Sequence, residues 1–284
     1  MLEIILINAL KNHMKHFIDP RIKEGLAIQY EVIKALLLRE MITRWGRRGV
    51  GFLMILLEPL VIISIITIVV YIAKSYTNSQ TYRIFGVDLL AFLVTGYNMA
   101  YLFRRTPVQV SLGISANRGL LSHRNVRPFD LFFTRYILEM VGITLSFILL
   151  MLIFIVFNFI PSPKSYEMVV AAWLLMVWFS FGLCFCVAPI ISLHRSFSII
   201  WIGISIVVYF LSGSFYMLDW LPAKYQAILI YNPVLSGMEM IRHGYFGDSV
   251  KTYEDPVYLI EWNLALTVLG LRLVRSKFLL NRGA

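Results

Sequence analysis

Carboxylates, cysteines and histidines are the side chains that catalysis would draw on, and their spacing in this chain selects no reaction. Glu58 and Glu139 both fall inside apolar stretches, yet nothing sets them beside each other as an acid–base pair. Cys184 and Cys186 are two residues apart, so on a helix they diverge and close no disulfide; they read as small apolar filler. The five histidines show no metal-ligand spacing and no H-E-x-x-H pattern. Neither G-x-x-x-x-G-K-[ST] nor G-x-S-x-G occurs, so the sequence carries no phosphate loop and no nucleophile elbow. Any work this chain performs must draw on a gradient or on another chain.

The charges inside apolar stretches still need partners. A charge at the bilayer centre costs on the order of 3 kcal/mol on insertion scales. Glu58 must therefore face protein, water or a cation, and Arg104 and Arg105 are the candidates; a structural ion pair and a functional charge both remain open. Arg135 and Glu139 stand four residues apart, which reads as a self-paired charge near the interface.

The elements that must hold these residues are apolar and long. A spanning helix needs roughly 20 mostly apolar residues to cross about 30 Å of hydrocarbon. Six such stretches run at about Phe52–Tyr71, Leu89–Phe103, Leu131–Ile160, Val169–Leu193, Phe197–Phe215 and Tyr258–Val274. The third, as one helix, reaches about 45 Å and must tilt or protrude. Of the 284 residues 59% are hydrophobic and 15% charged, an apolar excess that belongs on a lipid-facing surface. The expected fold is an all-α polytopic membrane protein. It has a cytoplasmic N-terminal segment (1–51), a transmembrane domain (52–274) and a short tail (275–284). Met1–Leu10 is too short to span and lacks a basic start and a cleavage site, so the N-terminus is expected to be retained.

The net charge of +10 is unevenly placed. Basic residues crowd the segment before the first span, the stretch after the second (Arg104, Arg105, Arg118, Arg124, Arg127), Arg195, and the tail after the sixth. The alternate loops hold only Lys74, Arg83, Lys164, Lys224, Arg242 and Lys251. The positive-inside rule then puts both termini in the cytoplasm. Topology and anionic lipid account for the basic residues, and nucleic-acid binding is not needed to explain them.

Glu24 to Trp45 repeats Leu26, Tyr30, Ile33, Leu37 and Met41 at helical spacing, with Glu40 and Arg44 off that stripe as an i, i+4 pair. This reads as a helix lying in the membrane surface, or as an ordinary helix packed on the spans. Between the second and third spans, 106–130 reads as a loop with a short helix near Arg118–His123, either a docking knob or a solvated basic loop. Leu193–Ser196 is short enough to force an antiparallel hairpin. Between the fifth and sixth spans, Pro222–Tyr231 and Pro233–Phe246 are apolar and too short to cross. Pro222 and Pro233 suit a first helical position and Asn232 suits an N-cap. The region 216–247 is expected to dip into the outer leaflet and return.

Four segments, taken in order, resemble the membrane subunit of type-2 ABC exporters, and within them the capsular polysaccharide export permeases. They are Arg44-Trp45-Gly46-Arg47-Arg48 leading to Leu57-Glu58-Pro59-Leu60, and Leu93-Val94-Thr95-Gly96-Tyr97 leading to Phe103-Arg104. The third runs from Ala116-Asn117-Arg118 through Val126-Arg127-Pro128-Phe129-Asp130. The fourth is Tyr231-Asn232-Pro233-Val234 with Glu239-Met240-Ile241-Arg242 and Gly244-Tyr245-Phe246-Gly247. The match covers about 39–247.

The resemblance implies a half-transporter that is not itself an enzyme. Two copies would pair, with two cytoplasmic nucleotide-binding subunits beneath them. This chain would carry no cofactor; ATP and Mg would sit on the partner ATPase. The cargo would be a lipid-linked, often acidic glycan crossing the bacterial inner membrane. A periplasmic polysaccharide co-polymerase or adaptor would continue the route to an outer-membrane channel. Carried onto this sequence, the coupling helix lies in Ser115–Arg127, with Asn117, Arg118, His123, Arg124 and Arg127 as ATPase-contact candidates. Tyr97, Tyr101, Arg104, Arg105, Tyr209, Tyr216, Trp220 and Tyr231 are candidates for the glycan path, since aromatic faces stack on sugar C–H surfaces. The same aromatics also suit interfacial belts, and the same arginines suit topology alone. Rival readings are another cargo (O-antigen, teichoic acid, drug or lipid), a membrane-embedded glycosyltransferase, and a scaffold without transport.

Overall fold

The computed structural model describes residues 20–45, 83–84, 87–122 and 126–276, with positions 57, 61, 62, 64, 65 and 69 between them. Most of the expected first span, Glu58 included, lies outside the described residues. Eight helices run through the described ones: α1 (Pro20–Trp45), α2 (Leu89–Ala116), α3 (Pro128–Val156), α4 (Tyr166–Leu193), α5 (Phe197–Leu211), α6 (Ala223–Leu229), α7 (Pro233–Phe246) and α8 (Pro256–Arg275). A two-residue hairpin, β1 (Arg83–Ile84) and β2 (Val87–Asp88), pairs Arg83 with Asp88 and Ile84 with Val87 just before α2.

Helix starts follow cap chemistry, in which a side-chain oxygen takes an otherwise orphaned backbone N–H. Asp88 accepts from Ala91 N at 2.9 Å at the head of α2, and Asp255 from Tyr258 N at 3.0 Å before Pro256 and α8. Asn232 accepts from Val234 N at 3.1 Å, with Pro233 at the first position of α7, as the sequence predicts. Pro222 instead caps α6, whose first residue is Ala223. The third span ends where Asn158 adopts φ 57°, a left-handed turn that lets Phe159 N reach Phe154 O at 2.8 Å.

Among the described residues, α3, α4 and α8 are long and apolar enough to cross a membrane. At 15 residues α5 rises only about 22 Å, because the chain turns away at Ser212 and Gly213. The helix that holds the expected second span, α2, is longer than that stretch. It does not stop at Arg105 but continues through Pro107 to Ala116, with Val110, Ser111 and Ile114 buried. Burial of that face outweighs the backbone hydrogen bond that Pro107 removes. The expected loop 106–130 thus shrinks to the segment between Asn117 and Arg127.

α4 is the central post, packed against α2, α7 and α8. Glycines set the approach of α4 and α8. A Cβ on Gly182 would sit 2.7 Å from Leu266 Cβ, and one on Gly270 2.7 Å from Phe185 Cβ. Polar links add to this seam: Asn263 Nδ2 donates to Leu175 O at 3.0 Å and Trp178 Nε1 to Thr267 Oγ1 at 3.1 Å. Outward faces of α3 (Leu149, Leu152, Val156), α5 (Ile199, Val207, Phe210) and α8 (Leu264, Val268) stay exposed. Such apolar breadth suits lipid and not water.

Candidate functional site

The chemistry-bearing side chains gather in three places along the bundle: a foot where α1 meets the α2–α3 junction, an aromatic file between α2 and α5, and a head beneath α7.

Four of the candidate path residues meet across α2 and α5, and a fifth, Arg105, joins through Tyr101. The 97/101 spacing puts two rings one turn apart on α2, stacked with centroids 5.9 Å apart. Arg105, one further turn on, donates to Tyr101 Oη and lies 5.3 Å from that ring's centre. From the facing helix, Tyr209 receives Arg104, whose guanidinium is 4.4 Å from the ring centre. Trp201 Nε1, two turns below Tyr209, donates to Arg104 O at 3.3 Å and fixes α5 against α2. Beyond Tyr209 the file continues to Phe215, 4.8 Å away. Phe215 lines a cleft of about 200 Å³ together with Val87, Leu89, Phe92, Leu93 and Trp220. Trp220 stacks on Phe92 at 5.3 Å. Tyr97, Arg104, Arg105, Tyr209 and Trp220 are all half-buried, so each keeps a face open.

Glu139 is fully buried on α3, within electrostatic reach of Tyr101 and Cys184. It does not form the expected pair with Arg135. That arginine turns the other way, toward α1, because Glu40 presents a carboxylate there.

Tyr216 and Tyr231 play backbone roles at the head and do not join the file by their rings. Tyr216 Oη donates to Leu211 O at 3.0 Å, and Tyr231 is 72% exposed while its carbonyl accepts from Tyr258 Oη at 2.7 Å.

The head is organised by Arg242 and Glu239, to which the sequence assigns no site role. Arg242 is 0% exposed. Its Nη1 donates to Tyr216 O at 2.7 Å and its Nη2 to Ser214 O at 3.1 Å, while the guanidinium covers the Phe92 ring at 3.7 Å. Glu239, one turn earlier, accepts from Leu218 N at 3.2 Å and Tyr253 N at 3.4 Å. Burial pushes the Glu239 carboxyl up and the Arg242 guanidinium down, and the charge of each partly offsets the other's shift. Gly96 makes room: a Cβ there would lie 2.8 Å from Ser214 O.

At the foot, the most buried face of α1 lies one residue round from the predicted stripe, whose Ile33, Leu37 and Met41 are half-buried. Tyr30 is exposed, while Leu36 and Glu40 are buried. The inward face is Gln29, Val32, Leu36 and Glu40, and Glu40 points at the bundle, while the Arg44 side chain of the expected pair lies outside the described residues. Glu40 ion-pairs with Arg135 of α3 and accepts from Asn117 Nδ2 at 2.6 Å. Asn117 caps α2 and also donates to Gly113 O at 2.8 Å; Arg135 Nε reaches Gln109 O at 3.3 Å. Three turns along α1, Gln29 donates to Asp130, whose other oxygen accepts from Arg127 N at 2.8 Å at the start of α3. The segment after Asn117 is a 3-10 turn, Arg118–Ser122, in place of the expected Arg118–His123 helix. Arg118's side chain, His123 and Arg124 lie outside the described residues. Among the described candidates here, Asn117 is buried in this network and Arg127 is exposed.

Comparison with known proteins fits this architecture. The sequence profile described as ABC-2 type transporter matches residues 31–246. The capsule polysaccharide export inner-membrane protein BexB of Haemophilus influenzae is 39% identical over 254 residues, 89% of this chain and 94% of the relative. The protein CtrC of Neisseria meningitidis serogroup B, which carries the same description, is 39% identical over 255 residues, 90% of this chain and 94% of the relative. The polysialic acid transport protein KpsM of Escherichia coli is 27% identical over 268 residues, 90% of this chain and 96% of the relative. On the profile match and these identities, the chain belongs to the ABC-2 type transporter family.

Proposed function

We propose that this chain is the transmembrane subunit of an ATP-driven exporter that moves lipid-linked capsular polysaccharide across the bacterial inner membrane. The observation that carries the reading is the file from Arg105 and Tyr101 through Tyr97, Arg104 and Tyr209 to Phe215, in a chain 39% identical to capsule export proteins. Flat aromatic faces meet sugar C–H faces without fixing any one ring, so a polymer advances in many small steps. Arg104 and Arg105 rest on π faces, contacts of roughly 0.5–2 kcal/mol that an acidic sugar or phosphate exchanges with readily.

In this reading the foot is cytoplasmic, where the basic residues concentrate, and the 3-10 turn at Arg118–Ser122 meets one of two partner ATPase subunits. ATP and Mg belong to that partner. A second copy of this chain completes the path. A periplasmic adaptor and an outer-membrane channel receive the glycan beyond the head, and α6 and α7 form the re-entrant pair that caps the periplasmic end. Nucleotide supplies the differential free energy that a change between two states requires.

Labelling of lipid-linked glycan in a strain lacking this chain tests the proposal. Polymer trapped inside with none at the surface is the expected result. Normal surface polymer would leave a permease of another cargo, and no polymer anywhere would point to synthesis.

A further inference from the structure

The Glu40 carboxylate and the Arg135 guanidinium each touch all three helices at the foot. Oε1 takes Asn117, the residue between α2 and the 3-10 turn, and Oε2 takes Arg135 of α3, while Glu40 itself belongs to α1. Gln29 and Glu40 are eleven residues apart, about three turns, so both lie on one face of α1 and hold it at two points. α2 then runs unbroken from Asn117 back to Arg105, Arg104, Tyr101 and Tyr97. A displacement of the Arg118–Ser122 turn therefore reaches the aromatic file through α2, and Glu40, holding both partners, passes it to α1 and α3 together.

From this geometry we infer that Glu40 is a positioning residue for transport, the latch that makes α1, the end of α2 and the start of α3 move as one body with the ATPase-facing turn. The inference rests on the exporter reading and adds a residue to it. Glu40→Gln keeps the shape but turns an NH2 toward either Asn117 Nδ2 or Arg135, setting donor against donor. Arg135→Lys keeps the charge and loses the planar fork that also reaches Gln109 O.

The test uses the full chain assembled with its partner ATPase in proteoliposomes, and reads membrane abundance, bound ATPase, ATP hydrolysis and glycan moved. For Glu40→Gln the expected result is normal abundance, normal ATPase binding and hydrolysis, and glycan moved per ATP reduced by about tenfold, within the usual range of coupling between sites. Arg135→Lys should lose less, and Glu40→Arg combined with Arg135→Glu should recover part of the loss. Wild-type glycan per ATP in Glu40→Gln overturns the inference. So does a loss of export that only follows lowered abundance in Glu40→Gln and Arg135→Lys alike, since the contact is then purely structural. A wild-type complex that hydrolyses ATP and moves no glycan overturns the exporter reading itself, and this inference with it.

Discussion

Arg104 of α2 lies with its guanidinium 4.4 Å from the centre of the Tyr209 ring on α5, and this contact joins the two helices that carry the aromatic file. A cation held on a ring face is attracted by the ring's quadrupole and keeps its charge available to a carboxylate or phosphate.

Removing that cation should impair transport more than folding. Arg104→Ala is expected to lower surface glycan by about tenfold at unchanged membrane abundance, and Arg104→Lys by less, because lysine keeps charge but not the planar stack. Tyr209→Phe should behave as wild type and Tyr209→Leu as Arg104→Ala, since the ring face and not the hydroxyl makes the contact. Surface glycan by antibody or lectin binding, set against chain abundance, checks this series.

The glycine seam between α4 and α8 predicts a stability effect. Gly270→Val adds carbon where Phe185 Cβ is already 2.7 Å and Gly182 O 3.0 Å away. Overpacking of this kind costs about 1–3 kcal/mol or more. The thermal midpoint of the detergent-solubilised chain should fall clearly. Gly203→Ala on α5, with nothing within 4 Å of the added carbon, should leave it unchanged or raised.

Arg242→Met should be among the most damaging single changes. It strips two buried carbonyls, Ser214 O and Tyr216 O, of their donor and leaves Glu239 without the nearby cation. Breaking a buried charge arrangement from one side costs about 3–5 kcal/mol. Loss of the chain from the membrane, measured by immunoblot, is the expected outcome. Glu239→Gln keeps one of two acceptor oxygens and should cost less, about 1–3 kcal/mol.

Local chemistry made much of this fold readable. Asn232-Pro233 announces α7, and the apolar runs announce α3, α4 and α8. Reading failed where the deciding partner is remote. Arg104-Arg105 looks like the end of a span by hydropathy, yet tertiary burial of Val110 and Ile114 carries α2 on to Ala116. Glu40 looks like a helix-surface charge, yet it is buried and meets Arg135, 95 residues away on α3. The most buried line of α1 is offset one residue from its apolar stripe for the same reason: Leu36 and Glu40 match a surface that no local pattern encodes. Of the path candidates, Tyr97, Tyr101, Arg104 and Tyr209 converge by helical spacing and an antiparallel neighbour, and Arg105 follows on Tyr101. The head needed the fold, since Arg242 reads as a loop charge until Ser214, Tyr216 and Phe92 surround it.

The most direct test places a photo-reactive phenylalanine at position 209 in cells that make a labelled lipid-linked glycan. A control carries it at position 207, two residues earlier and so about 200° round α5, on a face that is 58% exposed at Val207. Light-dependent capture of glycan at 209, absent at 207 and dependent on an active partner ATPase, is the predicted result. Equal capture at both positions, or capture at neither while export proceeds, would contradict a glycan path along the Tyr97–Arg104–Tyr209 file.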